Sequence, residues 1–123
     1  MDHRMAMAEL DKRVALALGW ANPKEWAYPS CRIYEDGSLW MTPPRSSGSF
    51  ATTQPPKFST DPAQVGPLLL EAQRRGWDIT VGIHDGQWSC EIVIKDKFCN
   101  WKLADSFCEA ICLAFVEAAE VSK

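Results

Sequence analysis

The chain has 123 residues, 46% of them hydrophobic and 24% charged, with a formal net charge of -3 at pH 7. This length and composition predict one globular domain over residues 1–123, and they exclude a fibrous repeat or a fully disordered chain. The negative charge argues against binding to duplex nucleic acid, because proteins that bind it usually present a basic surface.

The first predicted element is a helix from Arg4 to Leu18. Its apolar residues recur at spacings of three and four, which places them on one face of a helix. The residues on this face are Met7, Leu10, Val14, Ala17 and Leu18. Gly19 follows and is predicted to end the helix as a C-terminal cap.

A hairpin and a long loop are predicted next. Two short runs, residues 31–34 and 38–41, flank the turn sequence Glu35-Asp36-Gly37 and indicate a strand pair. Residues 42–57 then contain four prolines, which oppose both a helix and a central strand. Loops of this length are often functional, so the proline-rich loop 42–57 is a candidate for the activity.

A second helix is predicted after Ser59-Thr60-Asp61-Pro62, because this sequence supplies an N-cap and a proline for the first turn. The expected buried stripe of this helix is Val65, Leu68, Leu69 and Ala72. Gly76 is predicted to end it. Two alternating runs, residues 77–83 and 88–94, then flank Asp85-Gly86, which is the strongest hairpin signal in the chain.

The remaining elements are a third strand and a last helix. Residues Phe98 to Leu103 are predicted to lie antiparallel beside the preceding strand. Ser106 and Glu109 have the spacing of a capping box, which begins the last helix. The residues of this helix that should face the core are Phe107, Ala110, Ile111, Ala114, Phe115 and Ala118. The predicted fold is α+β, in the order α-β-β-α-β-β-β-α, with a mainly antiparallel sheet packed by helices.

Four segments, taken in their order and spacing, resemble the phage ABA sandwich domain family. They are Leu10-Asp11 through Ala17-Leu18-Gly19-Trp20, Phe58-Ser59-Thr60-Asp61 leading to Arg75-Gly76-Trp77, the paired strands around Trp88, and Glu109-Ala110-Ile111-Cys112. The resemblance covers most of the chain except residues 21–57. It implies an α/β sandwich and a phage or prophage origin, and therefore the cytoplasm of a bacterial host cell. It brings no catalytic residues with it, and the proline-rich loop departs from the shorter central region of such domains.

Membrane insertion and secretion are not expected from the sequence. The longest apolar stretch, residues 106–116, contains Glu109 and is shorter than the roughly 20 residues that span a bilayer. Charged residues occupy the N-terminal segment where a secretory signal would be apolar. We therefore expect a cytoplasmic protein.

The cysteines favour free thiols over a disulfide framework or a zinc site. They are Cys31, Cys90, Cys99, Cys108 and Cys112, an odd number without a Cys-x-x-Cys motif. Cys108 and Cys112 are one helical turn apart, a spacing that suits a buried flank as well as a thiol pair. We expect five reduced, mostly buried cysteines.

Catalytic signals are weak. His84 precedes a turn, where a histidine is usually solvated, and it lies in no recognisable triad or metal-binding pattern. We therefore expect a noncatalytic protein without a metal or cofactor.

The best candidate for a ligand site is the proline-rich loop together with the aromatic residue before it. Arg45 and the hydroxyls of Ser47 and Ser49 suit phosphate, while Trp40 and Phe50 offer faces on which a base could stack. The alternatives are a solvated linker for the loop and a packing or oligomer contact for Trp40.

These features predict a phage accessory binding protein that sequesters a nucleotide-derived immune signal. The alternative is a protein that inhibits a host defence protein by direct contact. A homo-oligomer is also expected, because Trp40, Val93 and Phe98 are apolar residues that the predicted sheet leaves available.

Overall fold

The computed structural model describes residues 3–21, 39–44, 53–95, 97–98 and 101–122. Contacts within the chain divide it into two compact units, residues 1–57 and residues 58–123. Among these described residues, the first unit contains one helix, and the second contains two helices and the sheet. Whether the chain behaves as one folding domain stays a prediction.

Helix α1 of the first unit, His3–Ala17, confirms the first predicted element. The apolar residues of α1 that are buried are Ala8, Leu10, Val14 and Ala15. The chain leaves the helix at Gly19, whose φ of +99° is the left-handed conformation expected of a glycine cap.

The predicted first hairpin is not found among the described residues. Residues 31–38 lie outside the described residues, and Met41 and Thr42 form isolated bridges instead of a strand. Met41 exchanges two backbone hydrogen bonds with Thr53, at 2.8 and 2.9 Å, and Thr42 exchanges two with Ala21. Because neighbouring residues pair with different segments and the two prolines that follow have no N–H to donate, no regular ladder develops.

The second unit begins with the predicted helix. Asp61 Oδ1 accepts a hydrogen bond of 3.0 Å from the Ala63 amide, and Pro62 opens a single 3₁₀ turn, Pro62–Gln64. Helix α2 follows, Val65–Arg74, with Val65, Leu68 and Ala72 buried. The left-handed φ of +80° at Gly76 then redirects the chain into the sheet, as predicted.

Strands β1, Asp78–His84, and β2, Gln87–Ile94, form the predicted antiparallel hairpin. Asp85 and Gly86 both have positive φ, +51° and +80°. A two-residue turn of this kind matches the natural twist of the strands, which is why Asp-Gly favours it.

The third strand is interrupted. Its segments β3, Lys97–Phe98, and β4, Lys102–Ala104, both pair antiparallel with β2, so the sheet is three strands wide. Phe98 pairs with Val93 and Lys102 with Cys90, so the third strand has one residue more than β2 between its paired segments. That extra residue shifts the register, which a continuous strand from 98 to 103 would not do.

Helix α3, Phe107–Val121, packs on β2 and β4, and α2 packs on β1 and α3. The Ser106 hydroxyl caps α3 by accepting a hydrogen bond of 3.1 Å from the Glu109 amide. Trp88 and Phe107 make an edge contact with ring centroids 5.4 Å apart. This contact shows which face of β2 is covered by the helices.

The core of the second unit includes an aromatic pair under a guanidinium. The ring centroids of Trp77 and Phe115 are 5.4 Å apart, and the Arg75 guanidinium lies 5.1 and 5.5 Å from them. Glu71 accepts a hydrogen bond of 2.9 Å from Arg75 Nε and also binds Arg74. The hydrogen bond from Arg74, with a further one from Arg75, outweighs partial desolvation and lowers the pKa of Glu71 from 4.5 to about 2.

The predicted α+β class is confirmed: the described part of the chain has three helices and a three-stranded antiparallel sheet that packs against helices. Over the described ranges the element order is α-α-β-β-β-α, and not the predicted order with an additional early hairpin. Within the described ranges, no helix is both long and apolar enough to cross a membrane.

Candidate functional site

The second face of the sheet is the open face, which we define by Gly82, His84, Ser89, Gln87 and Leu103. Side chains alternate between the two faces of a strand, so these positions point away from the helix-covered residues such as Trp88. The register brings them together across three strands, since Gly82 pairs with Ser89 and Ser89 with Leu103. The open face therefore offers a surface to which separate strands contribute side chains.

A cavity of about 480 Å³ lies on this face. The described residues that line it are Gly82, Ile83, His84, Ser89, Trp101 and Leu103. Its volume lies within the range of roughly 300–1,000 Å³ that is usual for small-molecule sites. We call it the open-face cavity and take it as the candidate site.

The floor of the open-face cavity depends on a glycine. A Cβ atom at Gly82 would lie 3.6 Å from Ser89 Oγ, which is ordinary van der Waals contact. The backbone would thus tolerate a side chain at this position, but that side chain would occupy cavity space. The absence of one leaves the buried Ser89 hydroxyl facing the region that a ligand would enter.

The walls of the cavity are mainly apolar. Trp101 and Leu103 are large hydrophobic residues of the open face with 47% and 45% of their surface exposed, while the side chain of Ile83 lies on the helix-covered face with Trp88. An indole beside aliphatic groups and a few polar atoms is the usual composition of a site for a flat, partly apolar molecule.

His84 supplies an imidazole at the end of the cavity nearest the turn. Its Nε2 atom lies 3.4 Å from Asp85 Oδ2, and both side chains are well exposed. A contact of this length in solvent contributes little, so Asp85 does not hold the ring firmly. The imidazole can donate or accept a hydrogen bond, or stack on a planar ligand.

The described thiols lie away from solvent. Cys90, Cys108 and Cys112 are buried thiols, while Cys31 and Cys99 lie outside the described residues. Burial, with a smaller contribution from Glu91, raises the pKa of Cys90 to about 12, and burial also raises the pKa of Cys108.

We expect these buried thiols to resist alkylation in the native protein at about pH 8, because the thiolate is the reactive form. Mass spectrometry after iodoacetamide treatment should show them labelled only once the protein is unfolded. Rapid native labelling of Cys90 would contradict this expectation, and two disulfides found under nonreducing denaturation would contradict the prediction of five reduced cysteines.

Among the residues that the structure describes, no three histidine, cysteine, aspartate or glutamate side chains are grouped so that they could hold a metal ion.

Of the five ligand-site residues that the sequence predicts, the structure describes only Trp40. Trp40 is half-buried beside the bridge residue Met41. Arg45, Ser47, Ser49 and Phe50 lie outside the described residues, and their role stays a prediction. The Met41–Thr53 bridge brings the two ends of the segment 42–52 together, so the proline-rich loop leaves and rejoins the fold at one place.

Sequence reasoning missed the open-face cavity. It treated His84 as a solvated turn residue and did not single out Gly82, Ser89, Trp101 or Leu103. Strand alternation in the 77–94 hairpin could have placed Gly82, His84 and Ser89 on one face. The contribution of the third strand could not have been predicted, because its register shift depends on one extra residue that no local pattern marks.

Comparison with known proteins gives no match: no protein-family model matches the chain, and no match is found among the curated proteins or the solved structures. The similarity to the phage ABA sandwich domain family therefore stays a prediction from the sequence.

Proposed function

We propose that this protein is a noncatalytic binding protein and that the open-face cavity receives the planar part of a nucleotide-derived ligand. The observation that carries the proposal is the position of Trp101, whose half-exposed indole borders a cavity of about 480 Å³. Stacking of a base on an aromatic side chain contributes roughly 1–3 kcal/mol and tolerates different bases.

The polar groups of the cavity suit the edge of a base. The Ser89 hydroxyl and the His84 imidazole can each donate or accept a hydrogen bond. The remaining lining is apolar or lacks a side chain, so it would exclude water around the ring without competing for its polar atoms. These properties support retention of a ligand more than chemical conversion of it.

The phosphate part of the ligand needs positive charge, which the described lining does not supply. The sequence separately predicts phosphate binding by Arg45, Ser47 and Ser49 of the proline-rich loop, which belong to the first unit and lie outside the described residues. The biological setting that we propose, a phage accessory protein that sequesters an immune signal in the bacterial cytoplasm, rests on the family resemblance.

A panel of nucleotides and cyclic nucleotide messengers tests this function. Each compound is incubated with the protein, the complex is separated by gel filtration, and heat releases what was bound. Chromatography should recover one class of compound intact. A converted product would point to an enzyme, and no retention of any compound would contradict the proposal.

Trp101→Ala should weaken binding of the retained compound by about 1–2 kcal/mol, because the stacking face is lost. Leu70→Ala is the matched control, since Leu70 is an exposed hydrophobic residue of α2 on the opposite side of the sheet. Calorimetric titration of both variants measures the effect. Equal affinity of Trp101→Ala and the parent protein would exclude stacking at this site.

An inhibitor of a host defence protein is the second candidate function. It is favoured by the exposed residues Trp101 and Leu103 of the open face, because contiguous exposed apolar surface commonly marks a protein interface. Failure of the whole nucleotide panel, with specific capture of a defence protein that Trp101→Ala abolishes, would establish this alternative.

A further inference from the structure

Strand β1 forms one edge of the sheet. Among the described residues its strand partner is β2, and it has none on its other side. In a two-residue hairpin the pair next to the turn is hydrogen-bonded, and every second pair after it. Thr80 and Gly82 therefore direct their backbone groups towards β2, whereas Ile79, Val81 and Ile83 direct theirs away from it.

The free edge of β1 lacks the usual protection against pairing. Natural proteins shield such edges with proline, lysine, a bulge or a very short strand. Strand β1 has seven residues, Asp78–His84, and its sequence contains neither proline nor lysine. Val81 and Ile83 are 36% and 68% exposed. The opposite edge differs, because β3 and β4 are short and separated by a register shift.

We propose that a second copy of this chain pairs antiparallel with β1 around a two-fold axis at Val81. The sequence of β1, Asp-Ile-Thr-Val-Gly-Ile-His, matches itself when it is reversed in this register. Val81 faces Val81 of the second copy, Ile79 faces Ile83, and Asp78 faces His84. The outward backbone groups of the odd-numbered residues then meet as hydrogen-bonded pairs, each of which exchanges two hydrogen bonds.

Complementarity across the axis favours a second copy over an unrelated strand. In the symmetric pair, the Asp78 carboxylate of each copy faces the His84 imidazole of the other copy, so this contact occurs twice. Apolar side chains face one another on the helix-covered side of the sheet, where β1 leaves them exposed. A register displaced by two residues keeps the hydrogen-bond pattern but shortens the overlap and leaves Asp78 or His84 without its partner.

The dimer also bears on the open-face cavity. Gly82 and His84 line the cavity, and the register places Thr80 and Asp78 of the second copy opposite them. The second copy therefore contributes a hydroxyl and a carboxylate beside each cavity. This consequence rests on the proposed function, whereas the pairing itself does not.

Sedimentation of the ligand-free protein across micromolar concentrations tests the pairing. The parent protein should sediment as a dimer, at twice the 13.8 kDa of the chain. Val81→Pro should weaken the dimer about 100-fold, because it removes one outward N–H from each copy at the axis. Proline is tolerated at an edge position whose N–H does not serve the sheet, so the hairpin should still form.

A second pair of variants does not depend on proline. Ile83→Lys places two cations at the interface and should yield a monomer, whereas Leu70→Lys at a comparably exposed site on α2, 66% against 68%, should leave the dimer intact. Thermal melts identify any variant that fails to fold. Dimers of equal stability in the parent, Val81→Pro and Ile83→Lys would overturn the proposal, and so would a parent protein that stays monomeric.

Hydrogen exchange by NMR tests the register in the parent protein. The Ile79, Val81 and Ile83 amides should be protected in the dimer and should lose that protection on dilution, while the Thr80 and Gly82 amides stay protected by β2. Isotope-filtered NOEs should connect Thr80 with Gly82 of the second copy. Fast exchange at Val81 in a dimeric sample would overturn the edge pairing, whatever the nucleotide panel shows.

Discussion

Phe115→Ala is expected to lower the free energy of unfolding by about 3–5 kcal/mol, because it empties a fully buried aromatic site. Phe115 packs on Trp77 with centroids 5.4 Å apart, and Arg75 covers both rings. The truncation therefore removes apolar contacts and one ring beneath the guanidinium. Urea denaturation followed by circular dichroism measures the loss.

Two further variants bracket this result. Leu70→Ala removes an exposed side chain from the neighbouring helix α2 and should change stability by less than about 0.5 kcal/mol. Phe115→Leu keeps most of the volume and should cost about half as much as the alanine variant. A loss below about 1 kcal/mol for Phe115→Ala would mean that this site is not part of the core.

Lys102→Met is expected to cost about 2–3 kcal/mol, because it leaves a carboxylate oxygen enclosed without its cation. Lys102 Nζ lies 2.9 Å from Glu117 Oε2 on the helix-covered side of the sheet. That oxygen is shielded from solvent and, within the described part of the chain, has no further partner with hydrogen-bond geometry. Methionine keeps the apolar stem of the side chain but removes the charge.

A double-mutant cycle isolates the ion pair. Glu117→Gln removes the opposite charge, and the double variant should recover part of the stability that Lys102→Met loses, because no unpaired charge remains. Stabilities measured by denaturant unfolding give the coupling energy. If Lys102→Met loses less than about 0.5 kcal/mol, the carboxylate turns into solvent and the pair behaves as an ordinary surface ion pair.

The proposals make separate demands on the open face and on the edge of β1. Ligand retention requires Trp101 and the cavity, whereas dimerisation requires the backbone of Val81. A protein that dimerises but retains no nucleotide would leave the β1 pairing intact and favour the inhibitor of a host defence protein. A monomeric protein that retains a nucleotide would support the binding site at the open-face cavity and contradict the β1 pairing.

Local sequence determined most of the helices and the β1–β2 hairpin. The Asp61-Pro62 start of the second helix, the Asp85-Gly86 turn and the Ser106 cap were all predictable. Each depends on hydrogen bonds or backbone preferences within a few residues of the chain. Such interactions are encoded where they act, so a single sequence contains the information.

Tertiary structure decided the pairing of Met41 with Thr53, the shifted register of the third strand and the open-face cavity. Each of these joins segments whose alignment depends on the packing of the remaining chain and not on any local motif. The predicted early hairpin is not found among the described residues for the same reason, since Met41 and Thr42 pair with Thr53 and Ala21. Residues 82–84, 89, 101 and 103 form one cavity because three strands align there, and strand alignment is a property of the folded sheet.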